Sequence, residues 1–162
     1  MKKLFNNKKG FTLIEVLIAC SIMSLITISV MSAATKGIQL SNRALKQVQA
    51  NLLLEEGAEA VKSIRDDNWN TISSLSPDTN YYLSFDTNTN KWFLVSNPTS
   101  AIDGTFTRVI VFSEVYRDNN DDIAETGALD IGTKKVSITV SWTSAGVVVS
   151  KEINFYITNI FN

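Results

Sequence analysis

The chain has 162 residues, 44% of them hydrophobic, and a formal net charge of −1. That length supports one domain with a modest core and is too short for two full domains beside a membrane anchor, and the near-neutral charge supplies no global basic field for nucleic acid. The lack of histidine removes the commonest general base and metal ligand, and the single cysteine, Cys20, excludes an internal disulfide and a zinc cluster, so no nucleophile–base pair of the usual kind can be built.

The charge is unevenly placed. Lys2, Lys3, Lys8 and Lys9 lie in the first ten residues with no acid among them. From Gly10 to Thr35 the one charged residue is Glu15, and no proline or further glycine interrupts the run. A helix needs about 20 apolar residues to cross a bilayer, and this run suffices. The lysines before it favour an orientation with the N-terminus inside and the rest of the chain outside. Cys20, within the run, reads as a small hydrophobe.

One reading of this segment is a secretory signal peptide, with Ser32, Ala33 and Ala34 as small residues for cleavage. Two features oppose it. The apolar run is long for that purpose, and Glu15 lies only a short way inside it. A charged residue costs roughly 2.5–3.5 kcal/mol at the centre of a bilayer and less towards its edge. Such an acid is a functional residue by default and asks for a partner.

The junction Lys8-Lys9-Gly10-Phe11-Thr12-Leu13-Ile14-Glu15 resembles the class III signal of type IV prepilins and type II secretion pseudopilins. The resemblance implies that a membrane-embedded peptidase cuts between Gly10 and Phe11 and methylates the new N-terminal amine of Phe11. It implies that Glu15, with Thr12 beside it, serves assembly, the carboxylate neutralising the N-terminal amine of a neighbouring subunit. A buried carboxylate and a buried ammonium are each costly alone and tolerable as a pair. The implied partners are other pilin or pseudopilin subunits, the prepilin peptidase/methyltransferase, an inner-membrane assembly platform and the lipid bilayer. The implied location is the bacterial inner membrane, with a pilus or pseudopilus after assembly. The chain departs from the best-known major pilins in two ways. It has no proline before Pro77, and one cysteine cannot close the C-terminal loop that many of them carry.

The helical pattern is expected to continue to about Asp66. Good helix formers dominate from Ala44 to Lys62. Leu45, Val48, Leu52, Leu53, Gly57, Ala60, Val61 and Ile64 recur at steps of three and four, a stripe expected to pack on a globular head, with Arg43, Lys46, Gln49, Glu56 and Glu59 opposite. The string from Leu54 to Asp66, followed by Trp69, resembles the same region of minor pilins of the V and I types. It reads either as a subunit contact or as a helix packed on its own sheet.

After Trp69 the composition shifts. Residues 70–80, rich in Ser, Thr, Asn and Asp, are expected to form a linker loop. Tyr81–Phe85 and Lys91–Val95 flank a polar turn and read as a hairpin. Strands are expected over Phe106–Tyr116, Val136–Trp142 and Val147–Ile157, the last two joined by a turn at Thr143–Gly146. The fold class is therefore α+β: a pilin-like long helix on an antiparallel sheet. The expected segments are a leader over 1–10, a membrane and assembly helix over 11–35, an extramembrane helix over 36–69 and a β head over 70–162.

Asp118, Asn120 and Asp122 alternate as oxygen donors do at the start of a calcium loop. Ile123 stands where an EF-hand needs glycine, and Leu129 where it needs its bidentate acid, so the segment is no EF-hand. It reads as a solvated polar turn or as a head-domain calcium site of the kind the resemblance permits; no other cofactor is expected. Trp92, Tyr81 and Tyr82 read as sheet packing before they read as a sugar-binding surface. Three functions stay open: a structural pilus subunit, a pseudopilin of a secretion or DNA-uptake machine, and a lone membrane-anchored adhesion module.

Overall fold

The computed structural model describes residues 10–98 and 100–160; Lys2, Lys3, Lys8 and Lys9 lie outside the described residues. The first element is a single helix, α1 (Leu13–Asp67). A short helix, α2 (Trp69–Ser73), follows, then strands β1 (Asn80–Asp86), β2 (Lys91–Val95), β3 (Phe106–Arg117), β4 (Ile123–Ala124), β5 (Ala128–Ser144) and β6 (Val147–Thr158). This is the α+β layout that the sequence pattern implies. The chain divides into two compact units, residues 1–44 and residues 45–162.

In the second unit the strands form one antiparallel sheet in the order β2-β1-β3-β5-β6, with β4 paired to β3. Alternation along β3 and β5 decides which face is the core. Phe106, Arg108, Ile110 and Phe112 point one way and lie opposite Trp142, Val140, Ile138 and Val136, all buried. Side chains alternate with period two along a strand, so Thr107, Ser137, Thr139 and Ser141 fall on the other, wetter face. Rings reinforce the core, with Phe106 against Trp142 at 5.8 Å and Tyr81 edge-on to Phe112 at 6.1 Å. Ala145 and Gly146, both with positive φ, make the tight turn from β5 to β6.

The helix covers this face with Ala50, Leu54, Gly57, Ala60, Val61 and Ile64. The expected stripe is half corrected here. Gly57, Ala60, Val61 and Ile64 are buried and Leu53 is partly so, but Leu45, Val48 and Leu52 are 56%, 55% and 58% exposed. The reason is angular: at about 100° per residue these three lie roughly 160–220° round the helix from Ala50. Two residues read as lying opposite also reach the sheet. Lys46 donates to the Thr143 carbonyl at 3.2 Å, and Glu56 pairs with Arg108 at 3.6 Å.

Two more expectations change. Residues 70–80 are not wholly a loop, because Asn68 caps α2 by accepting from the Asn70 amide at 3.0 Å, and Ile72 is fully buried. Strand β5 begins eight residues before Val136, and the two-residue β4 is additional to the strands expected.

Helix and sheet approach each other closely at Gly57. A Cβ there would stand 3.1 Å from Arg108 Cδ and 3.3 Å from Ile138 Cγ2. The missing side chain makes room for a buried arginine, whose Nη1 donates to the Leu53 carbonyl at 2.9 Å and whose guanidinium lies 5.7 Å from the Trp92 ring. Burial lowers the Arg108 pKa, and Glu56 opposes that shift. Gly57→Val should overpack this contact and cost about 1–3 kcal/mol, seen as a lower midpoint in thermal or denaturant unfolding. An unchanged midpoint would mean that the helix lifts off the sheet at little cost.

Candidate functional site

The start of α1 is built by two side chains that satisfy each other's backbone. The first four amides of a helix have no internal partner. Thr12 precedes the first helical residue, and its carbonyl accepts the first helical bond, from the Val16 amide at 3.3 Å. Its hydroxyl oxygen accepts from the Glu15 amide at 3.4 Å. In return Glu15 Oε2 accepts from both the Thr12 amide and the Thr12 hydroxyl, each at 2.8 Å. This is a capping box, Thr at the cap and Glu three residues on. Reading the sequence for chemistry alone missed it, although Thr-x-x-Glu before an apolar run is its sequence signature.

The box occupies one oxygen of the carboxylate. The carboxylate contacts fall on Oε2, and the box uses atoms of Thr12 and Glu15 only, all C-terminal to the Gly10–Phe11 bond, so breaking that bond leaves the box intact. Oε1 takes no part in it. Gly10 and Phe11 are exposed and precede the helix, Phe11 at 88%. A Cβ on Gly10 would meet nothing within 4 Å.

The apolar run beyond this box is uncovered. Leu13, Leu17, Met23, Leu25, Ile28 and Met31 are all more than half exposed. The helix is long and apolar enough to cross a membrane, with none of its most apolar window buried. Its hydroxyls are tied back along the helix, Ser24 to the Cys20 carbonyl, Thr27 to Met23 and Ser29 to Leu25, each at 2.8 Å. Hydroxyls satisfied within the helix do not demand water, which suits a hydrocarbon surrounding.

In the head, the loop after β3 holds the acids singled out from sequence. Asp118 Oδ1 accepts from the Asn120 amide at 2.8 Å and the Asp122 amide at 3.0 Å, so it is turned into its own loop. Asn120 and Asp122 contribute backbone amides there. Among the described residues no three Asp, Glu, Cys or His side chains converge as metal ligands would. The aromatic residues pack: Tyr81 is buried with its hydroxyl accepting from the Ser76 amide at 3.0 Å, and Trp92 lies over Arg108.

A family model described as the prokaryotic N-terminal methylation motif matches residues 5–31. The chain therefore carries, over these residues, the signature of type IV prepilins and pseudopilins. No curated protein and no solved structure matches the chain.

With open space around Gly10, a larger residue there should leave the fold unchanged and act on processing alone. Gly10→Val should give a head with wild-type unfolding behaviour and a chain that stays at full length on denaturing gels of the host's membranes. A product of mature length from this variant would contradict the expectation that the chain is cut after Gly10.

Proposed function

We propose that the chain is a structural subunit of a type IV pilus, of the minor-pilin kind, held in the membrane by α1, cut after Gly10, methylated on Phe11 and assembled through the N-terminal half of its helix. One observation carries this reading: a capped, uncovered apolar helix with a carboxylate at its start, bearing the methylation motif. An exposed apolar surface of this size marks an interface with lipid or protein. Lipid covers it before assembly; neighbouring helices cover it afterwards. Leu45, Val48 and Leu52 extend the same need beyond the membrane-length run, since they too are exposed and apolar.

Glu15 has a role in each state. In the free subunit it closes its own helix through Oε2. In the filament its charge meets the methylated amine of a neighbouring Phe11, and Oε1 is the oxygen still open to that donor. A carboxylate has about four lone-pair sites, enough for both sets of bonds. A pseudopilin of a secretion or DNA-uptake machine would use the same contacts, and the identity of the filament containing the subunit distinguishes the two. The reading makes the protein a building element and assigns it no catalysis.

Two substitutions separate capping from charge. Glu15→Gln keeps an oxygen for the capping box and removes the charge; Glu15→Ala removes both. Both variants should be inserted and cut, because neither touches the scissile bond. Both should be depleted from sheared filaments by about tenfold or more, since an unpaired amine among apolar helices costs at least the 1.4 kcal/mol that a tenfold change represents. Wild-type amounts of Glu15→Gln in filaments would reduce Glu15 to a helix cap and end the pairing argument.

A further inference from the structure

The loop after β3 and the start of β5 gather Asp118, Asp121, Asp122, Glu125 and Asp130 within thirteen residues of chain, with Arg117 at the end of β3. Like charges at such spacing repel, and loops of this composition are commonly held by a metal ion. Here the cross-link is already in the chain. Arg117 Nε donates to Asp130 Oδ2 at 2.6 Å, and Arg117 Nη1 donates to the Asp121 carbonyl at 2.7 Å. The Asp121 carboxylate lies 3.7 Å from Nε. One planar guanidinium thus joins the outgoing arm of the loop to β5.

The rest of the loop is built round that join. Asp130 uses its other oxygen, Oδ1, to accept from the Gly132 amide at 2.9 Å, so both oxygens are committed. Asp118 accepts two amides on Oδ1 alone. The loop backbone closes with the Asp118 amide on the Asp122 carbonyl at 2.9 Å and the Asp121 amide on the Asp118 carbonyl at 3.1 Å. Gly127, at φ +149°, brings the returning arm against the Arg117 carbonyl, where a Cβ would stand only 2.0 Å away. That approach sets Arg117 opposite Ala128 in the ladder, beyond the bulge at Glu114/Tyr116.

We infer that Arg117 is the built-in cation of the 117–130 segment, joining Asp121 to Asp130 and so its two arms, in place of a divalent metal. Electrostatics agrees with the geometry. The hydrogen bond from Arg117 holds the Asp130 carboxyl below its usual range, and the same bond raises the Arg117 pKa. A planar fork suits this task better than lysine, because it reaches a carboxylate and a carbonyl at once. A calcium ion brought to Asp130 would meet a fixed positive charge and two oxygens already in use. The head should therefore keep this loop closed whether or not calcium is present, independently of what the subunit assembles into.

Hydrogen exchange of the full chain in detergent micelles, read by mass spectrometry over residues 117–130, tests this. Wild-type exchange there should be the same in calcium chloride and in a chelator. Arg117→Gln should speed exchange at least several-fold in that segment under both conditions, with Arg117→Lys falling between it and wild type. Calcium-dependent protection of the wild-type loop would overturn the inference, and so would wild-type exchange in Arg117→Gln. If Arg117→Gln does not fold, the comparison of wild type with and without calcium still decides the matter.

Discussion

An apolar helical surface that its own chain leaves uncovered has to be covered by something else, and from this constraint the rest of the molecule follows. Along residues 13–40 the large side chains of α1 are more than half exposed. At about 25 cal/mol per Å² of apolar surface, such a surface cannot rest stably in water. Every polar group in it must then be answered locally. The back-bonded hydroxyls do this along the helix, and the Thr12–Glu15 box does it at the helix start. Glu15 is thus no stray charge in an apolar run. It closes the end of the helix while keeping one oxygen outside the box.

The second unit solves the converse problem, how to give the continuing helix a firm mount. The sheet supplies a flat face of β-branched and aromatic side chains, and α1 meets it with small residues, Ala50, Gly57 and Ala60, between larger ones. Gly57 lets the backbone come close enough for Arg108 to bond the Leu53 carbonyl inside the interface. A buried charge is expensive unless it is paired and hydrogen-bonded. Arg108 has a helix carbonyl, the Glu56 carboxylate and the Trp92 ring, so it ties helix, β2 and β3 into one body.

The sequence shows much of this and hides some of it for identifiable reasons. The length of α1 is readable because no proline occurs before Pro77 and helix formers run to its end. The alternation of Val136, Ile138, Val140 and Trp142 gives the inner face of β5 directly. The buried stripe of α1 is only partly readable, since Leu45, Val48 and Leu52 have the right spacing but face away from the sheet. Periodicity finds an apolar face and does not say which partner covers it. Helix α2 hides in a composition typical of loops, because what stabilises it is one cap by Asn68 and the burial of Ile72. In the candidate site, Gly10, Phe11 and Glu15 are recognisable from the motif, and the capping role of Thr12 is readable from its spacing to Glu15. The acid cluster after β3 shows its charges in the sequence but not the contacts of Arg117 with Asp121 and Asp130. Arg108 gives no sequence signal at all: an arginine in an alternating strand looks like a surface residue until the helix is laid over it.

The central claim is that this helix is a processed, membrane-inserted assembly element. The intact mass of the protein extracted from the membranes of its native host tests it most directly. The account predicts a single mature species that begins at Phe11 and carries one added methyl group. A chain beginning at Met1, or one cut near Thr35 by an ordinary signal peptidase, would contradict it.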